Sequence, residues 1–173
     1  LALKMDPGSA FGTGSHPTPR LCLEALEQEP PSGMRVADLG CGSGVLGLAA
    51  LGLGAHQVLS VDTDSLAVRA TTDNAVLNGL AVDQLRVTQG SVEVLLELLD
   101  EQPADLLLCN ILAPVIEALA PHFQSVLRPG GRGLLSGLLV EQAPRLTEVL
   151  ESLGWTVQPL AEQGRWALLE IRR

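Results

Sequence analysis

Asp38-Leu39-Gly40-Cys41-Gly42-Ser43-Gly44 sets alternating glycines directly behind an apolar run, Met34–Asp38, that reads as a strand. Glycines at such a point let the backbone turn tightly and approach a ligand, and a helix behind them offers unpaired N–H groups. Asp62 stands 22 positions beyond Gly40 and closes a second apolar run, Gln57–Asp62. A carboxylate there can accept both hydroxyls of a ribose lying over the carboxyl edge of a sheet. The pair points to a nucleoside-containing cofactor. Gly42-Ser43-Gly44-Val45-Leu46-Gly47 also fits GxGxxG, with Asp62 20 positions beyond Gly42, so a dinucleotide and an NAD-dependent oxidoreductase stay open. Against them, Asp38-Leu39-Gly40-Cys41 separates that pattern from the strand, and the Asp38 carboxylate sits badly beside a pyrophosphate. It suits a cationic amino-acid end. S-adenosylmethionine carries an ammonium and a sulfonium and no phosphate, so charge favours it. A module that binds a nucleoside without catalysis is the third reading.

Asn110 ends a later apolar run, Asp105–Cys109, and is followed by Ile111-Leu112-Ala113-Pro114. At the carboxyl end of a buried strand an Asn faces the same crevice. Its amide oxygen, with a neighbouring carbonyl, could hold an amine by its N–H groups and aim the lone pair at a methyl; a helix-capping role is the plain alternative. Residues 1–19 are rich in breakers (Pro7-Gly8, Gly12, Gly14, Pro17, Pro19) around Phe11 and His16, and a loop of that kind often covers a ligand. His16 reads first as a turn-stabilising residue and second as a general base. Cys41 reads as a small packing residue, Asp64 as a helix cap and Asp73 as a solvated side chain. His56 and His122 earn no role.

The elements that must position these residues alternate. Met34–Asp38, Gln57–Asp62, Leu85–Thr88, Asp105–Cys109 and Gly133–Leu138 read as strands, nearly continuous in apolar residues as strands buried on both faces are. Arg20–Leu26, Gly44–Leu53, Ser65–Leu77, Ser91–Leu99, Pro114–Leu127 and Glu141–Leu153 read as helices, the third between Asp64 and Asn78-Gly79 as cap and stop. This β-α alternation predicts a parallel sheet with helices on both faces. Trp155–Leu160 and Arg165–Ile171 break the rhythm as an antiparallel hairpin around Glu162-Gln163-Gly164.

The chain has 173 residues, enough for one domain with a sizeable core. Hydrophobic residues make up 46% and charged ones 18%, which excludes a disordered chain. A net charge of −9 repels phosphate, so direct nucleic-acid binding is not expected and a basic protein partner or a small molecule fits better. Four aromatics give no stacking platform. Cys22, Cys41 and Cys109 are odd in number and far apart, so neither a disulfide framework nor a metal site is expected. No apolar run approaches the ~18 residues of a membrane span, and a cytoplasmic location is the expectation.

Taken together, Asp6–Thr18, the Asp-x-Gly-Cys-Gly-Ser-Gly turn, Val61-Asp62-Thr63-Asp64 with Ala67-Val68-Arg69-Ala70, Asn74 with Asn78-Gly79, Asn110-Ile111-Leu112-Ala113 and Leu135-Ser136-Gly137 resemble the PrmA-type methyltransferases. That family methylates the eleventh protein of the large ribosomal subunit. The resemblance spans essentially the whole chain. It implies a Rossmann-like class I methyltransferase fold, a seven-stranded, mostly parallel sheet with an antiparallel C-terminal hairpin. It also implies S-adenosyl-L-methionine as cofactor, and transfer of methyl groups to lysine or N-terminal amines of a basic ribosomal protein. Residue by residue, it implies cofactor contacts from Gly40, Gly42 and Gly44, beside Asp38, with Asp62 on the ribose and Asn110 at the methyl and the amine. Thr18 and the next position would close over the cofactor. Where the family usually has a second Thr, this chain has Pro19, which can touch a cofactor only by shape or backbone. Family members also carry an N-terminal recognition domain. The expectation for residues 1–173 is therefore a catalytic domain, with 1–19 as its covering loop and that recognition domain absent.

Overall fold

The computed structural model describes residues 2–5 and 17–173; Phe11, His16 and most of the expected covering loop lie outside them. The apolar runs form β1 (Arg35–Leu39), β2 (Gln57–Asp62), β3 (Leu85–Gln89), β4 (Ala104–Asn110) and β5 (Leu127–Leu139), all paired in parallel. β6 (Thr156–Gln163) and β7 (Trp166–Arg172) form the expected hairpin, and β7 lies antiparallel to β5. The seven strands follow the order β3-β2-β1-β4-β5-β7-β6. The chain builds outward from β1 to β3, then returns to lay β4 on the other flank of β1. At that reversal the connections leaving β1 and β4 diverge and open a crevice at their carboxyl ends.

The helices are α1 (Pro17–Gln28), α2 (Val45–Gly52), α3 (Ser65–Leu77), α4 (Val92–Leu99), α5 (Ala113–Leu119), α6 (Phe123–Val126) and α7 (Ala143–Ser152). Because side chains alternate along a strand, each inner strand feeds two cores. Ala37, Leu59, Leu107, Cys109 and Leu135 pack with α4 to α7 around Phe123 and Trp155. Val36, Val58, Leu106, Leu108 and Leu134 pack with α1 and α2. By the same alternation Asp38, Ser60, Asn110 and Ser136 belong to the α1/α2 face. Asp64 caps α3 by accepting the Leu66 N–H at 2.9 Å, and Asn78 ends it, both as expected.

Three expectations need correction. The first helix begins at Pro17 rather than Arg20, since Pro fits a first helical turn where its N–H is not needed; Thr18 and Pro19 are therefore helical. The predicted helix Pro114–Leu127 breaks at a 3₁₀ turn, Ala120–His122, because Pro121 cannot donate to a continuing helix. The strand expected over Gly133–Leu138 begins at Leu127 instead, with Pro129-Gly130-Gly131 as a bulge inside it: Leu127 stands opposite Ala104 and Arg132 opposite Leu106.

Candidate active site

The chain leaves β1 through Gly40, whose N–H donates to the Val61 carbonyl at 2.9 Å, as does that of Cys41 at 3.1 Å. A side chain at Gly40 is doubly barred: its φ is +79°, and a Cβ would lie 2.4 Å from Cγ2 of Ile111. Asp62 ties the turn from β2. Its Oδ2 accepts the Gly42 N–H at 3.0 Å and its Oδ1 accepts the Asp64 N–H at 2.9 Å. Each oxygen keeps a second lone pair for an incoming hydroxyl. From α3, the Thr71 hydroxyl donates to the Gly42 carbonyl at 2.9 Å and the Asn74 amide to the Ser43 carbonyl at 2.9 Å. Thr71 and Asn74 are buried.

Across the crevice, β4 ends at Asn110. Leu112, not Asn110, occupies the cap position of α5, so the capping alternative fails. The Asn110 backbone is fixed on both sides: the Ile111 N–H donates to the Ser136 carbonyl at 3.1 Å, and Gly137 presses against Ile111. With φ of +88° and the Ile111 carbonyl oxygen 2.4 Å from where a Cβ would stand, position 137 admits only glycine.

Between these walls lies a cavity of about 570 Å³, within the range of small-molecule and cofactor sites. Gly40, Gly42, Asp62, Asn110, Thr18 and Pro19 line it together, with Trp166 and Leu112 also on the wall. Two expected residues do not reach it. Gly44 occupies the N-cap of α2, behind the turn and against Thr71. Asp38, expected at a cationic end of the ligand, is buried in the α1/α2 face, because its place in the β1 alternation turns it toward Gly47 of α2. Burial pushes its carboxyl up to about 7, with the Asp62 charge adding to the rise and the Gly47 N–H opposing it. Its Oδ2 and the Ser60 hydroxyl have no hydrogen-bond partner among the described residues.

The reasoning from sequence missed Thr71 outright and gave Asn74 no task. The available signal was a polar residue at positions i and i+3 of α3, on the side that faces the turn. Cys41 is buried, as expected of a packing residue, and burial pushes its thiol well up.

The order of the sheet, its antiparallel C-terminal hairpin, the glycine turn after β1 and the acid closing β2 define a Rossmann-like methyltransferase fold. Within that class, the profile of the family "Ribosomal protein L11 methyltransferase (PrmA)" matches residues 1–173, and the chain belongs to this family. A ribosomal protein L11 methyltransferase of Parasynechococcus marenigrum (strain WH8102) is 70% identical over all of this chain and 60% of its own length. The crystal structure of a ribosomal protein L11 methylase from Lactobacillus delbrueckii subsp. bulgaricus is 32% identical, with a TM-score of 0.85 over 99% of this chain and 84% of that one. A T. thermophilus 16S rRNA N2 G1207 methyltransferase, solved with AdoMet and guanosine, shares the fold at 24% identity, with a TM-score of 0.78 over 99% of this chain and 47% of that one. The chain spans about three fifths of the length of the curated relatives it matches. Family membership leaves the oxidoreductase alternative without support.

Proposed function

We propose that this chain is the catalytic part of an S-adenosylmethionine-dependent protein N-methyltransferase whose acceptor is ribosomal protein L11, a basic partner suited to an acidic enzyme. A ribosomal substrate would place its work in the cytoplasm. The observation that carries the reading is the meeting of the Asp62-tied glycine turn and Asn110 across one cavity. The cofactor, when bound, supplies a methyl carbon already activated on a sulfonium.

The residues do the rest. Asp62 accepts ribose hydroxyls with the lone pairs that Gly42 and Asp64 leave free. Gly40 and Gly42 bring backbone close to the ligand, and Thr18 and Pro19 close the wall from α1, Pro19 by shape alone. The Asn110 Oδ1 accepts an N–H of the incoming amine and so aims its lone pair, which makes positioning the main catalytic contribution. A lysine amine, with an ordinary pKa of about 10.4, must arrive neutral. Apolar surroundings lower that value. The titratable side chains on the described wall are Cys41, Asp62 and Asp64; none of these is placed as a base, and loss of the proton to water suffices for the reaction.

Calorimetric titration with S-adenosylmethionine, with NAD as control, tests the cofactor. Transfer of labelled methyl to recombinant L11, by wild type and Asn110→Ala, tests the reaction. The expected result is binding of S-adenosylmethionine alone and a turnover that Asn110→Ala lowers by about a hundredfold, as for loss of a catalytic positioning group. Binding of NAD alone, or equal turnover in both proteins, overturns the proposal.

A further inference from the structure

Asn110 sits beside a buried chain of hydrogen bonds that the proposed mechanism does not use. Asn110 of β4 and Ser136 of β5 are cross-strand neighbours, and the fully buried Ser136 hydroxyl donates to Asn110 Oδ1 at 3.1 Å. On its far side Ser136 meets the fully buried Cys22 thiol of α1, with Sγ and Oγ 3.1 Å apart. With the amide oxygen toward Ser136, as the structure has it, counting protons sets the remaining directions. An amide oxygen can only accept, and Ser136 has one proton, so that proton points to Asn110. Ser136 must then accept from Cys22, and the thiol must be protonated to donate. Burial pushes Cys22 up to about 12, so the donor persists at physiological pH.

We propose that Ser136 is the positioning residue of the Asn110 carboxamide, with the Cys22 thiol fixing the direction of its hydroxyl. The inference rests on the proposed role of Asn110 at the amine. The backbone around Asn110 is already held by the Ile111 N–H and by Gly40 and Gly137. What remains loose is the terminal amide torsion, which in Asn is broad. The oxygen and nitrogen ends are nearly the same size, so packing barely distinguishes them. A flipped amide would turn an N–H donor toward an amine that needs an acceptor. The Ser136 proton selects the orientation in which Oδ1 has one lone pair occupied and one left for substrate.

The test uses the full chain labelled with ¹⁵N-asparagine. Only Asn74, Asn78 and Asn110 carry side-chain amide signals of this kind, and Asn110→Ala identifies the third pair. Ser136→Ala should shift and broaden the Asn110 pair while leaving those of Asn74 and Asn78 in place, and Ser136→Thr should restore it. Cys22→Ala should move the same pair and Cys22→Ser should return it, which reads the chain from its other end should Ser136→Ala fail to fold. With L11 as acceptor, Ser136→Ala should lower kcat about tenfold, the effect of one hydrogen bond made in the reacting complex, with the Kd for S-adenosylmethionine within about twofold of wild type. An Asn110 pair that ignores Ser136→Ala and Cys22→Ala overturns the proposal, as does an unchanged kcat in a variant whose pair has moved. If the pair responds as expected but the wild type transfers no methyl to L11, the positioning stands and the assigned reaction falls.

Discussion

Asp62 performs two tasks with one carboxylate: it holds the Gly42 and Asp64 N–H groups and, in the proposed complex, the ribose. Asp62→Ala should therefore weaken S-adenosylmethionine binding by about 1–3 kcal/mol, the scale of charge-assisted bonds. Asp62→Asn should recover less than half of that, since its NH₂ would face a backbone donor. Calorimetric Kd values check this, and an unchanged affinity in the Ala variant would remove the ribose from Asp62. Asp38 makes a prediction about pH. Its carboxyl rises from an ordinary 3.8 to about 7, chiefly by burial and then by the Asp62 charge; the Cys22, Cys41 and Cys109 thiols also feel its charge. The folded state holds this proton more tightly than the unfolded chain. The stability it contributes is full below pH ~4, declines as pH rises, and is gone above ~7. Asp38→Asn, which mimics the neutral form, should gain stability over wild type across that window by up to ~4 kcal/mol, at 1.36 kcal/mol per unit. Urea unfolding followed from about pH 5.5 to about pH 8 would show it. Parallel curves for the two proteins would mean that Asp38 is ionised throughout.

At the scale of elements, α3 is the brace of the glycine turn. Thr71→Val keeps the shape and removes the donor to the Gly42 carbonyl, leaving a half-buried acceptor unpaired. The variant should lose about 1–2 kcal/mol of stability and also bind S-adenosylmethionine several-fold more weakly, measured by denaturation and titration in parallel. A loss of stability alone would make Thr71 a structural residue only. Thr71 and this brace go unread in the chain because their one signal, a polar pair at i and i+3 of a helix, looks solvated until the turn it faces is known. The strands were legible, since runs such as Leu106-Leu107-Leu108 are too apolar for anything but a doubly covered sheet. The turn, Asp62 and Asn110 were legible because they sit at strand ends, where alternation stops and glycine or a polar residue begins. Asp38 was misplaced for a related reason: a strand's last residues face alternate sides, and which side is the ligand's depends on where α2 packs. The Pro121 break and the bulge at Pro129–Gly131 follow from proline's missing donor and from the register of β4, which is a tertiary fact.

At the scale of the molecule, the return of the chain from β3 to β4 brings the glycine turn and Asn110 to one crevice, and α1 covers the polar positions beneath it. The surrounding charge is one-sided. The chain carries 20 acidic and 11 basic side chains. Of the arginines, Arg128, Arg132, Arg145 and Arg172 are paired with carboxylates of the chain itself. Arg35 donates to the carbonyls of Leu99 and Gln102. The field that an approaching protein meets is thus that of an anion, which steers a basic acceptor and repels an acidic one. Salt shortens the reach of that field, from about 20 Å near 20 mM to about 7 Å near 200 mM. The KM for L11, the proposed acceptor, should accordingly rise several-fold over that range, while the Kd for S-adenosylmethionine, held by short contacts inside the cavity, should change by less than about twofold. Steady-state assays at fixed saturating cofactor, run beside titrations at the same salt, separate the two. A KM that stays flat would mean that acceptor capture depends on local shape rather than on the charge of this chain, and a cofactor Kd that climbs as steeply would mean that the cavity lies open to the bulk field.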